Sequence, residues 1–108
     1  MEGENRPHSE VFAEKGATWA DKEAAAQLLE DSKSSVMAQW QAECGDIPVN
    51  RAEQSVKSQQ RWKDYIVSCV EARKEANLAK IDLEVERMRF AEWNNREANA
   101  RQEMKMMS

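Results

Sequence analysis

The residues best equipped for chemistry are four tryptophans and a row of cationic side chains. Trp19, Trp40, Trp62 and Trp93 are many for a chain of 108 residues. Arg73, Lys80 and Arg87 recur every seven residues, about 10.5 Å apart if the segment is helical. Arg89, Arg96 and Arg101 thicken the same half. Indole rings stacking on unpaired bases, beside cations following a phosphate backbone, are the parts of a single-stranded nucleic-acid binder. A plainer reading competes and is favoured. Glutamates are interleaved at pairing distance (Glu71 with Lys74, Glu92 with Arg96, Glu97 with Arg101), which describes a solvated helix face. Tryptophans at helical spacing are more often packing anchors.

Catalysis has less to draw on. His8 is the sole histidine and lies in a segment expected to be a solvated tail, without the fixed partner that a general base needs. Cys44 and Cys69 stand apart, with neither C-x-x-C spacing nor flanking histidine, so no zinc site is expected. Glu86 falls at an apolar position, where a carboxylate needs a partner; Arg87 or Arg89 of a facing helix would supply it. The E-x-x-H pattern of bundle di-iron sites, phosphate loops and nucleophile elbows are absent from the sequence. The expectation is a non-enzymatic protein with no catalytic residues, metal or cofactor.

The element that must position all these groups is the C-terminal half. From Arg61 to Met107 there is no Gly or Pro, and Ala, Glu, Lys, Arg, Leu and Met dominate, which favours helix. Steps of four and three residues trace an apolar seam that includes Ala72, Ala76, Ala79, Leu83, Glu86, Phe90, Trp93, Ala100 and Met104. Leu78, Ile81, Val85 and Met88 form a second apolar face on the opposite side. A helix apolar on both sides asks for two neighbours.

Upstream, residues 1–14 are expected to be a flexible tail and 15–108 a single helical domain. Thr18 and Asp21 suggest a helix start, giving a first helix over about 19–44. Gly45 is placed as a left-handed cap with Pro48 following, which makes 45–49 the turn. Asn50 with Glu53 predicts a short helix over about 51–57, and Ser58 a fresh start for a long helix over about 60–106; one continuous helix from Arg51 is the alternative. The fold class is therefore all-α: an elongated helical hairpin with one very long C-terminal helix, assembling as a coiled-coil-like dimer or helical bundle. A homodimer through the seam, or a protein partner on the same surface, would cover what the shorter first helix leaves open.

Charge supports antiparallel pairing. Residues 1–50 carry ten acidic and four basic side chains and residues 51–108 ten and twelve, so the net −4 divides into −6 and +2. This is not the strong positive field of a duplex binder. No apolar run reaches the ~18–20 residues of a membrane span, and the first residues lack a secretory layout, so a cytoplasmic location without membrane association is expected.

Val70–Met106 also resembles a group of short, uncharacterised helical proteins encoded by phages and prophages. The likeness lies in E-A-R-x-x-A-N at Glu71–Asn77, R-M-R-F-x-x-W at Arg87–Trp93 and E-A-N-A-R-x-E-M at Glu97–Met104, with N-R-A-E-Q at Asn50–Gln54. The resemblance implies an accessory protein in phage DNA recombination or replication, acting in the host cytoplasm, with no functional residues to carry over. The function expected is that of a self-associating helical interaction protein. The alternatives are single-strand nucleic-acid binding through the basic, tryptophan-bearing half, and an acidic inhibitor of a host enzyme.

Overall fold

The computed structural model describes residues 7–107. Three helices account for nearly all of them: α1 (His8–Glu43), α2 (Val49–Ser58) and α3 (Gln60–Met107). α1 folds back along α3 as an antiparallel hairpin, with α2 wedged at the turn. The chain is all-α and very elongated, 86 × 25 × 16 Å.

Both of the first two helices start immediately after a proline. Pro7 and Pro48 hold φ at −56° with ψ near 145°, and their carbonyls accept the first helical hydrogen bonds, from Val11 and Ala52. Proline is preorganised for this and has no N–H to leave unpaired. The structure corrects three sequence expectations accordingly. α1 begins at His8 rather than near residue 19, so only residues 1–6 of the expected tail lie outside the described residues. Thr18 is interior to α1 and donates its hydroxyl to the Glu14 carbonyl at 3.1 Å. Asn50 is already helical, its side-chain oxygen accepting from the Arg51 N–H at 3.0 Å.

Gly45 ends α1 with φ +85°, a conformation that costs a side-chain-bearing residue about 1–2 kcal/mol. The second break is a single extended residue, Gln59 (φ −77°, ψ 144°). Ser58 closes α2 by donating to Ser55 O at 2.7 Å and does not cap α3. The Gln59 side chain instead accepts from Arg61 Nε at 2.7 Å.

The interior is a thin seam between helices, made of Ala26, Ala52, Val56, Trp62, Ala76 and Leu83. Alanines let the backbones approach; Trp62 and Leu83 supply bulk at either end. Gly16 lies within α1, where it weakens the helix, and a Cβ built there would meet only Leu83 Cδ1 at 4.0 Å. Gly16→Ala is therefore expected to raise the unfolding free energy by about 0.5–1 kcal/mol, read from urea denaturation; destabilisation would show that the two helices sit closer there than described.

Candidate interaction surface

The long helix uses its two apolar faces differently. On the seam, Ala76, Leu83 and Glu86 are buried, and Ala72 and Ala79 partly so. A ladder of ion pairs fixes the register of α1 on α3. Arg61 bonds Glu43 near the turn, Arg73 bridges Glu23 and Glu30, Lys22 meets Glu75 at 3.1 Å and Lys15 meets Asp82 at 2.8 Å. Acidic α1 and basic α3 thus meet within one chain. The Glu30 carboxyl, held chiefly by its hydrogen bonds from Arg73, lies below its ordinary pKa, and the Arg73 pKa is raised by Glu30 and then Glu23. Tyr65 donates to the Leu29 carbonyl; burial, with the nearby Cys69 thiol, moves its pKa above the usual phenol range.

Glu86 is resolved by α1, and this changes two expectations. His8 Nδ1 lies 3.3 Å from Glu86 Oε1, with Arg89 of the same helix at 3.8 Å from the other oxygen. The partner on the facing helix is thus His8, not an arginine. His8 is also no solvated tail residue, since its ring lies 5.7 Å from Phe90 and 5.6 Å from Trp93. The longer α1 brings it there. His8, Ser9, Phe12, Arg87 and Phe90 line a small apolar groove of about 320 Å³, and no hydrogen bond joins Ser9 to the imidazole among the described residues.

The expected row of nucleic-acid contacts is largely engaged elsewhere. Arg73 is held between two glutamates. Lys80 sits 6.0 Å over the Trp19 ring and Arg87 5.9 Å over Phe12, while Arg89 reaches Glu86. Arg101 Nε donates to the Glu97 carbonyl at 3.4 Å rather than to its carboxylate. None of the pairs Glu71–Lys74, Glu92–Arg96 or Glu97–Arg101 closes as a salt bridge. Three tryptophans serve packing: Trp62 stacks on Tyr65 at 5.8 Å, Trp40 meets both edge-on, and Trp19 lies beneath Lys80.

Two apolar surfaces of α3 remain uncovered. Leu78, Ile81 and Met88, on the side away from α1, are 54%, 55% and 59% exposed, with Val85 half-buried among them. Every residue from Arg87 to Met107 is exposed, including seam positions Phe90, Trp93, Ala100 and Met104. The seam is therefore shared: its first part is closed by α1 and its last part is open. The overhang begins near Trp93, later than a first helix starting at residue 19 would put it.

Among the described residues no group of His, Cys, Asp or Glu is arranged to hold a metal ion, and no helix is long and apolar enough to cross a membrane. No family model, curated protein or solved structure matches this chain.

Proposed function

We propose that the chain is a helical interaction protein that self-associates through α3, the hairpin being the scaffold and the uncovered faces of the long helix the working surface. The observation that carries this reading is the row Leu78, Ile81 and Met88, more than half exposed on the side opposite α1. Each such side chain has roughly 1 kcal/mol still to gain from burial, and contiguous apolar surface on a protein normally meets a partner. The phage DNA-metabolism setting implied by the resemblance makes such a protein an accessory to another machine. Direct nucleic-acid binding has weaker support, because five of the six cations of the basic row have intramolecular partners.

Sedimentation equilibrium across micromolar concentrations tests the proposal. The wild type is expected as a dimer. Ile81→Glu is expected to weaken association about 100-fold or more, because burying an unpaired carboxylate costs several kcal/mol, with helicity unchanged. A wild-type chain that stays monomeric to hundreds of micromolar overturns it.

A further inference from the structure

The exposed stripe of α3 carries information about the direction of its partner. Continued by the same steps, it runs Glu71, Lys74, Leu78, Ile81, Val85, Met88, Glu92 and Asn95. Two exposed charges of opposite sign, Lys74 and Glu92, therefore bracket the four apolar residues. Neither has an ion-pair partner among the described residues. Leu78 and Met88, Ile81 and Val85, and Lys74 and Glu92 each have their midpoint at residue 83.

Resting on the self-association reading above, we propose that this stripe seats the same stripe of a second copy running in the opposite direction. The two-fold axis passes near residue 83, and Lys74 of each copy meets Glu92 of the other. Antiparallel helices in this register place Leu78 against Met88 and Ile81 against Val85, so apolar residues face only apolar residues. Both ends of the patch are closed by opposite charges, and Glu71 meets the neutral Asn95. A parallel, in-register pair would instead set Lys74 against Lys74, Glu71 against Glu71 and Glu92 against Glu92, and like charges in apposition are destabilising.

The intramolecular contacts are compatible with this geometry. α1 occupies the opposite side of α3, where Ala76, Leu83 and Glu86 are buried, so the stripe is not obstructed. Of the acidic groups flanking the stripe, Asp82 is neutralised by Lys15 and Glu75 by Lys22. Glu84 opposes the arrangement, since it approaches its own copy near the axis. An exposed pair of that kind costs about 1 kcal/mol or less, below what two Lys74–Glu92 contacts and the apolar core return.

Charge exchange gives a test with a distinct signature. Lys74→Glu alone and Glu92→Lys alone are each expected to weaken the dimer about 10-fold, since each turns two attractions per dimer into two repulsions. The double variant Lys74→Glu/Glu92→Lys is expected to recover wild-type affinity within about three-fold. In a parallel dimer the exchange merely trades one set of like-charge contacts for another, so single variants that leave affinity unchanged overturn the proposal. An independent distance comes from a spin label at Ala98→Cys in a Cys44→Ser/Cys69→Ser background. Antiparallel packing about residue 83 separates the two labels by about 45 Å; a separation of 10–20 Å, expected for roughly parallel helices, overturns the orientation. A monomeric wild type would instead mean that the self-association reading itself has failed.

Discussion

Trp62→Ala is expected to lower the unfolding free energy by about 3–5 kcal/mol, the usual cost of removing a buried large aromatic. Trp62 is the largest of the buried side chains, at 6% exposure. It stacks on Tyr65 and receives the edge of Trp40, with Arg61 covering the Trp40 ring at 4.2 Å. Its removal opens the junction where α1, α2 and α3 meet. The interior of this rod is a single file, so neighbours cannot collapse into the space from several directions, and the cost should lie at the high end. Urea denaturation followed by circular dichroism measures it. A loss below about 1 kcal/mol would show that the aromatic cluster is a surface ornament rather than the core of the turn.

Leu83→Ala should cost about 2–5 kcal/mol, but with a different spatial pattern. Among the described residues, Leu83 is the only large apolar side chain that is buried in the distal half of the hairpin, where α1 has reached its first turns. Contacts in an elongated hairpin are local, so stability varies along its length. The variant is expected to release the start of α1, roughly residues 8–18, while the aromatic junction stays closed. Amide hydrogen exchange should accelerate by two or more orders of magnitude at residues 11–18 and change little at 36–43. Uniform acceleration along α1 would mean that the hairpin opens as one unit. Because His8 and Glu86 lie at the same end, this variant also tests whether their contact survives without the apolar packing beside it.

How much of this was legible in the amino-acid sequence can be judged from particular residues. The long helix follows from a Gly- and Pro-free run rich in helix formers, and the reversal follows from Gly45, whose positive φ the structure contains. The two-faced character of α3 follows from the spacing of Leu78, Ile81, Val85 and Met88 against Ala72, Ala76, Ala79 and Leu83. Thr18 and Asp21 mimic a cap, which sets the expected start of α1 eleven residues too late. Gly16 costs only about 1 kcal/mol in a helix, less than Phe12 and His8 recover by packing on α3. Pro7 was the usable signal.

Local propensity and periodicity, which depend on residues a few positions apart, therefore determined that this protein is an extended all-α hairpin with apolar residues on both sides of its second helix. Which charges pair across the hairpin was a tertiary decision. It rests on the register of α1 against α3, which places Lys15 opposite Asp82, Arg73 between Glu23 and Glu30, and His8 beside Glu86. Those pairs are separated by 43 to 78 positions, and no local rule sets a relation at that range. The same register decides what is left over. By using the alanine side of α3, α1 leaves the leucine–isoleucine–methionine side and the end of the long helix exposed.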